Sequence, residues 1–245
     1  MARAGRTLSR RPEALEAGGL AVALRVSARA RRLILRLDPL GRAVLVVPQG
    51  VSLAEARAFL DRNAGWLAVR RQRTPAGIAL VAGAVLPYRG EPHRIDSRPA
   101  QRPPVLLEPG VIAVGGDPAF LARRLGDWLR ARAREALGEA VRRHAAALGR
   151  PLRRISLRDT SSRWGSCSSA GDISLSWRLI LAPPAVLDYV CAHEAAHLAE
   201  HNHGPRFWQL VAGLVGDPAP MRAWLKANGA SLLRVGVSAA PPPGA

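Results

Sequence analysis

The sequence predicts an α+β fold in which a β-rich N-terminal half precedes a helical C-terminal half. Three N-terminal segments, residues 20–26, 32–37 and 43–47, are rich in Val and Leu and alternate with a period of two, which is typical of strands with one buried face. Apolar residues at helical spacing run from about residue 117 to 149, and a second helical pattern begins at residue 188. A small β-sheet lobe is therefore expected ahead of a region built from helices.

The first three strand segments are predicted to form an antiparallel meander, with a turn at residues 38–41 between the last two. Ser52 and Glu55 form a capping box, which predicts a helix that continues to about residue 72. The predicted buried face of this helix consists of Leu53, Ala56, Phe59, Leu60, Trp66 and Leu67. These elements predict a small sheet covered by one helix.

Residues 76–115 are dense in Pro and Gly and contain short strand signals, which predict further antiparallel hairpins. The strand signals lie around residues 86–88, 93–95, 105–107 and 111–114. A long helix begins near Asp117 and Pro118, and we expect it to pack against the helix that begins at residue 188. His144 lies on this long helix, and the pattern predicts no role for it.

Two more strands are predicted, at residues 154–158 and 173–181, with a segment rich in Ser and Gly between them. In the second strand, apolar residues alternate with Ser174, Ser176 and Arg178. One face of that strand should therefore be buried, and the other should meet solvent.

Two short helices are predicted to follow at residues 205–215 and 218–228, the second of them ended by Gly229. The sequence shows no internal repeat. The expected domain organisation is a flexible basic leader at 1–19, one domain at 20–235 and a disordered tail at 236–245. The domain divides into a β-rich lobe (20–115) and a helical part (116–235).

Composition limits the cellular setting of the protein. The chain has 245 residues, of which 48% are hydrophobic, so it can bury a core of its own. It contains no apolar run long enough to cross a membrane, and its N-terminus lacks the apolar segment of a signal peptide. Only Cys167 and Cys191 are present, which is typical of a reducing compartment. A soluble cytoplasmic protein without a membrane partner is therefore expected, and the sequence sets no oligomeric state.

The formal net charge is +18, which favours attraction to polyanions such as nucleic acid or nucleotides through a basic surface. The alternative is a compositional bias, because Lys226 is the sole lysine and arginine is scattered along the whole chain. No nucleic-acid-binding motif and no aromatic stacking run is visible. Both interpretations of the charge stay open.

The helix that begins at residue 188 carries a His-Glu-x-x-His motif. His193 and His197 are four residues apart, so both imidazoles lie on one helix face, where they can share one metal ion. Glu194 lies about 100° round the helix from His193, which suits a general base that acts on a metal-bound water. The motif predicts a zinc site with an open position for water rather than a closed structural site.

The third ligand has three candidates, Glu200, His201 and His203. On a straight helix, His201 would lie about 12 Å along the axis from His193, which is too far for both to bind one zinc. His203 is favoured, because the turn-forming residues around Asn202 can end the helix and bring His203 back toward the metal.

The residues around this motif carry a family resemblance. The run from Arg163 to Val211 is RWGSCSSAGDISLSWRLILAPPAVLDYVCAHEAAHLAEHNHGPRFWQLV, and it resembles the signature of the YgjP-like (SprT-like) zinc metallopeptidase family of bacteria. The earlier RRLILRLDPLGRAVLVVPQGVSLAEARAFL and PYRGEPHRI also resemble that family, so the likeness covers residues 20–234. It implies a zincin-like metallopeptidase fold and a peptide or unfolded-protein substrate. It also implies the following site: His193, His197 and His203 as zinc ligands and Glu194 as the catalytic residue.

Two further expectations concern the substrate. The strand at 173–181 is expected to bind an extended peptide by strand addition. Arg163 is expected to hold a carbonyl oxyanion or a phosphate near the metal, and the alternative is that it only shapes the turn with Trp164. Two rival functions stay open: a nucleoside triphosphate pyrophosphatase that uses the same site, and a nucleic-acid- or partner-binding module with a structural metal.

Overall fold

The computed structural model describes residues 14–37, 42–72, 77–160 and 163–236, and within them the protein is α+β, as predicted. Residues 1–13 of the predicted leader, the predicted turn at 38–41 and residues 237–245 of the predicted tail lie outside the described residues. The chain forms two compact units, Met1–Ala76 and Gly77–Ala245.

The first unit contains a four-stranded sheet. Its strands are β1 (Ala14–Ala17), β2 (Leu20–Ser27), β3 (Ile34–Leu37) and β4 (Ala43–Pro48), in the order β1-β2-β4-β3. β1 occupies part of the predicted leader. β2 and β4 are parallel, so the predicted meander is wrong and the sheet is mixed. The two longest strands form the centre, where they bury the most side chains, and the four-residue β3 lies at the edge.

One helix, α1 (Leu53–Gln72), covers the first sheet. Its capping box is confirmed: the Ser52 backbone N–H donates to the Glu55 carboxylate at 2.9 Å, and the Glu55 N–H donates to Ser52 Oγ at 3.2 Å. Leu60 and Leu67 are fully buried in the core of this unit. Trp66 is 48% exposed, so its predicted burial is wrong. It follows Leu60 by six residues, which places it about 120° away from Leu60 round the helix.

The second unit begins with another four-stranded sheet. Its strands are β5 (Val85–Tyr88), β6 (Glu91–Ser97), β7 (Val105–Glu108) and β8 (Val111–Val114), in the order β5-β6-β8-β7, with β6 parallel to β8. The four strands occur where the sequence predicts them. Their order and pairing repeat those of the first sheet, and this structural repeat is not visible in the sequence.

A long helix follows the second sheet, as predicted. A 3-10 turn, Pro118–Phe120, leads into α2 (Leu121–Ala147). The second sheet contributes Leu86, Ile95 and Ile112 to the same core as α2. The predicted boundary between the β-rich lobe and the helical part lies after residue 115. The compact units divide after Ala76, because the second sheet shares its core with the helical region.

A third sheet consists of β9 (Arg154–Arg158), β10 (Gly165–Cys167) and β11 (Asp172–Ser176), with β11 in the middle. The prediction that the strand continues to residue 181 is wrong, because a 3-10 helix, Trp177–Leu181, follows β11. Arg178 does not reach solvent: it is 3% exposed and donates from Nε to the Val235 carbonyl at 2.8 Å.

Three helices complete the second unit: α3 (Pro184–Ala196), α4 (Pro205–Val215) and α5 (Ala219–Leu232). α3 packs against α2, as predicted, and also against α4 and α5. α5 continues through Gly229, so the predicted end of this helix is wrong. A Cβ at Gly229 would meet the Trp164 indole at 3.2 Å, so this glycine provides space for packing. None of the helices in the described part of the chain is both long enough and apolar enough to cross a membrane.

Candidate metal centre

Helix α3 is held in place by a polar contact with α2. The buried His144 of α2 donates from Nε2 to Asp188 Oδ1 at 2.9 Å, and Arg143 donates to the same oxygen. Asp188 lies in the second turn of α3, five residues before His193. His144, for which the sequence predicts no role, therefore joins the long helix to the helix of the His-Glu-x-x-His motif.

α3 ends at Ala196, six residues before the turn predicted at Asn202. The reversal is made by short-range hydrogen bonds from Leu198 N–H to the Ala195 carbonyl (2.9 Å) and from Ala199 N–H to the Ala196 carbonyl (3.0 Å). A helix often ends at a glycine with a positive φ. Residues 197–203 all have negative φ angles, so this turn needs no glycine. It brings the following segment back over the helix face that carries the two histidines.

Three imidazoles converge there. His193, His197 and His203 each offer a ring nitrogen, and these nitrogens all lie within 4.8 Å of one another. His193 Nε2 and His203 Nε2 are 3.1 Å apart. Two nitrogens bound to a tetrahedral zinc at ~2.0–2.1 Å would lie about 3.3 Å apart. The arrangement is therefore close to what a shared metal ion requires.

The hydrogen bond of His197 fixes its tautomer. Its Nδ1–H donates to the Glu200 carbonyl at 3.1 Å, which leaves the Nε2 lone pair for a metal. Burial lowers the pKa of His193 to about 4, with smaller contributions from the neighbouring His197 and His203. Burial also lowers the pKa of His197. Both rings are therefore neutral at pH 7, as metal ligands must be.

The structure separates the three candidates for the third ligand. His203 joins the cluster, whereas His201 is exposed and is not part of it. The side chain of Glu200 accepts a hydrogen bond from the Asn202 N–H at 3.1 Å, so it caps the turn. Of these candidates, the geometry brings His203 to the two helical histidines.

Phe207 of α4 forms the floor of the cluster. It is fully buried, and its ring centroid lies 4.9 Å from that of His193, 4.6 Å from that of His197 and 4.7 Å from that of His203. Trp208 packs on Phe207 at 5.2 Å, and Arg222 of α5 lies over the Trp208 ring. Phe207 and Trp208 both pack on α3, where their rings lie 4.9 and 5.9 Å from that of His193. The contact of one ring with all three histidines was not predicted, because sequence spacing does not show it.

Glu194 lies on the neighbouring side of α3, against strand β10. It is 6% exposed, and burial raises the pKa of its carboxyl to about 7, while the positive charge of Arg163 acts in the opposite direction. A Cβ on Gly165 would lie 2.5 Å from Glu194 Oε1. Gly165 therefore provides the space that the carboxylate occupies, and sequence reasoning missed this role because it placed Gly165 in a turn.

Arg163 is exposed at the start of the β10 segment, and its carbonyl accepts a hydrogen bond from Thr160 Oγ1 at 2.7 Å. Its guanidinium is near enough to lower the pKa of Glu194. Trp164 packs its indole against Gly229 of α5. The two side chains of this pair therefore have different surroundings, one in solvent and one against a helix.

The predicted docking strand for a peptide requires a correction. β11 pairs with β10 on one side and with β9 on the other, so its edges are already occupied. β9 and β10 are the edge strands of this sheet, and β10 is the one that contacts α3. A peptide that adds to this sheet beside the histidine cluster would therefore pair with β10.

The sequence is similar to one family of known proteins. A family model described as "YgjP-like, metallopeptidase domain" matches residues 31–228. No curated protein matches the chain. Among solved structures, the crystal structure of the metallopeptidase zymogen of Pyrococcus abyssi abylysin is similar, with 20% sequence identity and a TM-score of 0.31. The match covers 42% of this chain and 92% of that chain. This likeness is too slight to support an argument. Because the family model spans more than half of the sequence and includes the histidine cluster, the chain belongs to the YgjP-like metallopeptidase family.

Proposed function

We propose that this protein is a zinc-dependent peptidase in which His193, His197 and His203 hold the metal and Glu194 is the general base. Membership of a metallopeptidase family makes it a metal-dependent hydrolase. The observation that carries the finer proposal is the convergence of three imidazole nitrogens within 4.8 Å, with the buried carboxylate of Glu194 on the same helix.

The chemistry of the donors fits zinc. Three neutral imidazoles form the ligand set of several catalytic zinc sites, in which the fourth position stays open for water. The hydrogen bond from His197 to the Glu200 carbonyl and the contact of all three rings with Phe207 orient the ligands. A bound zinc would polarise the scissile carbonyl and lower the pKa of a coordinated water.

The role proposed for Glu194 follows from its burial and position. A carboxylate oxygen of Glu194 takes a proton from the attacking water and passes it to the nitrogen of the leaving amine. The raised pKa of Glu194 suits both steps, because a group with a pKa near 7 accepts and releases protons readily at neutral pH. The space at Gly165 holds the carboxylate in place for this transfer.

An extended, unfolded protein segment is the proposed substrate. Among the described strands, β10 pairs only with β11, and it lies beside α3. Main-chain hydrogen bonds to such an edge select extended peptides. Arg163 is proposed to hold the carbonyl oxyanion, because its guanidinium is exposed and its charge reaches Glu194.

The positive charge of Arg163 beside Glu194 could also bind a phosphate group. This supports a second candidate function, the hydrolysis of a nucleoside triphosphate at this centre. The two candidates are separated by incubating the zinc-loaded protein with casein and, in parallel, with the four nucleoside triphosphates. We expect cleavage of casein, lowered by roughly 10²–10⁴-fold in Glu194→Gln, with zinc content unchanged. Glu139→Gln, an exposed glutamate on α2, is the matched control and should keep full activity.

Each other outcome has a definite meaning. Hydrolysis of triphosphates alone, lost in Glu194→Gln, would replace the peptidase with the nucleotide hydrolase. Equal turnover of casein by Glu194→Gln and the parent protein would remove Glu194 from the mechanism. A zinc-loaded protein that hydrolyses neither substrate would favour the binding module with a structural metal.

A further inference from the structure

Among the described residues of the first unit, α1 packs on one face of the sheet and no element packs on the other. The side chains that face α1 form the core of the first unit, and the alternate side chains point to the opposite side. We define the outer face as the following residues of the three strands β2, β3 and β4: Ala23, Arg25, Ile34, Arg36, Val44 and Val46. None of them belongs to the core of this unit.

The strand register orders these residues in two rows. In one row, Val44 lies between Ala23 and Arg36, and in the other, Val46 lies between Arg25 and Ile34. Three neighbouring strands span about 10 Å. Ile34 is 41% exposed, although it is a large apolar residue. The outer face is thus a narrow apolar strip with an arginine on each side.

The positive charge of this face has no partner within the described part of the chain. Arg25 and Arg36 are exposed, and neither is within ion-pair distance of a described carboxylate. The loop between β2 and β3 adds three more exposed arginines, Arg29, Arg31 and Arg32. Among the described residues of this side of the sheet, the acidic one is Glu16, which pairs in register with Ala21. Ala21 is four residues along β2 from Arg25, or about 13 Å.

The second sheet has the same strand order, so its arginines can be compared with those of the first. On its corresponding side, Arg98 donates to Asp96 at 2.9 Å and to Glu108 at 2.8 Å, and Arg94 lies 3.6 Å from Asp96. The arginines of that sheet are therefore neutralised within the chain. The outward-facing arginines of the first sheet differ from these in having no described carboxylate within ion-pair distance.

We propose that the outer face binds an acidic polypeptide segment in which carboxylates alternate with apolar side chains. Carboxylates would pair with Arg25 and Arg36, and apolar side chains would cover Val44, Val46 and Ile34. Nucleic acid fits less well, because the face has no aromatic residue for base stacking and its apolar strip would meet a charged backbone. The inference concerns binding by the first unit and does not depend on the proposed chemistry of the histidine cluster.

The test measures binding to the full-length chain, with Glu194→Gln introduced to prevent cleavage of the probe. The probe is a fluorescein-labelled peptide of six Glu-Val repeats, followed by fluorescence anisotropy. We expect the double variant Arg25→Glu/Arg36→Glu to weaken binding by at least about tenfold. The control Arg57→Glu/Arg62→Glu changes the net charge equally, on exposed positions of α1, and should weaken binding by less than about threefold.

Two further measurements examine the apolar strip and the type of partner. A peptide of six Glu-Ser repeats should bind more weakly than the Glu-Val peptide, and Ile34→Ser should remove that difference. Equal loss in the two charge-reversal variants, or no binding of the Glu-Val peptide, would overturn the proposal. Displacement of the peptide by a twelve-residue oligothymidylate at equal concentration would assign the face to nucleic acid instead. If Arg25→Glu/Arg36→Glu alters the circular dichroism spectrum, Arg25→Ser/Arg36→Ser replaces it in the same comparison.

Discussion

In each unit, two β-hairpins form a four-stranded sheet whose second and fourth strands are parallel, and a long helix follows. In the first unit, α1 covers one side of the sheet, and its far side exposes Trp66 and Val69, by 48% and 49%. In the second unit, α2 has its own sheet on one side and α3 on another, and eleven of its residues are buried.

The repeated arrangement of one four-stranded sheet and one long helix does not by itself form the histidine cluster. The three clustered histidines, Glu194 and Phe207 all lie on the layer that only the second unit adds, which comprises α3, α4 and the segment between them. The same sheet and helix form a complete small core in the first unit and support the histidine cluster in the second. Because the two units differ in packing, we expect them to differ in stability and in chemistry as well.

The largest expected effect is on stability and compares Leu60→Ala in the first core with Leu137→Ala in the second. Both side chains are fully buried, so each change should lower the free energy of unfolding of its own unit by about 2–5 kcal/mol. Zinc at the proposed site would bind only the folded second unit. It should therefore raise the melting temperature of the transition that Leu137→Ala lowers and leave that of the other transition unchanged. Calorimetry with and without zinc measures this, and a zinc-dependent shift of both transitions would break the comparison.

The next effect concerns the support that β10 gives to Glu194. In Gly165→Ala, the new Cβ would lie 2.5 Å from Glu194 Oε1, so the carboxylate has to move. We expect casein cleavage to fall on the order of 100-fold, because a displacement of about 1 Å has that effect on catalysis. Zinc content should not change.

The matched control for this substitution is Gly213→Ala, because a Cβ at Gly213 of α4 meets nothing within 4 Å. It should retain full activity. In a Glu194→Gln background, Gly165→Ala should cause no further loss, since the group that it displaces is already inactive. A further loss there would mean that Gly165 acts on something other than Glu194.

The smallest effect belongs to the exposed side of α1. Trp66→Ser should change the free energy of unfolding by less than about 0.5 kcal/mol, because Trp66 is half exposed and lies outside the first core. Urea denaturation compares it directly with Leu60→Ala. If Trp66→Ser destabilised the protein as much as Leu60→Ala, α1 would have a second packed face.

Much of this architecture could be predicted because it depends on local signals. The capping box at Ser52, the strand at Arg154–Arg158 and the spacing of His193 and His197 each require only neighbouring residues. The parallel pairing of β2 with β4 could not be predicted in this way. It depends on which strands meet across the sheet, and alternation within a strand does not specify a neighbour.

The errors near the site have a related cause. β10 consists of Gly, Ser and Cys, which have little intrinsic preference for strands, and it forms because β11 and α3 lie beside it. Arg178 looks solvent-facing in the sequence, but Asp159 and the Val235 carbonyl satisfy it inside the protein. The hydrogen-bond partner of His144 is Asp188, which lies 44 residues away in the sequence. In each case the structure depends on a residue that is distant in the sequence, so the local pattern does not predict it.

The proposed metal centre is tested most directly by the zinc content of two histidine variants, measured by mass spectrometry on protein dialysed against a weak chelator. This site predicts about one zinc per chain in the parent protein and in His201→Ala, because His201 lies outside the cluster of described histidines. It predicts loss of zinc in His203→Ala, which removes one of the three converging nitrogens. Full zinc in His203→Ala, or its loss in His201→Ala, would contradict the metal centre proposed for this protein.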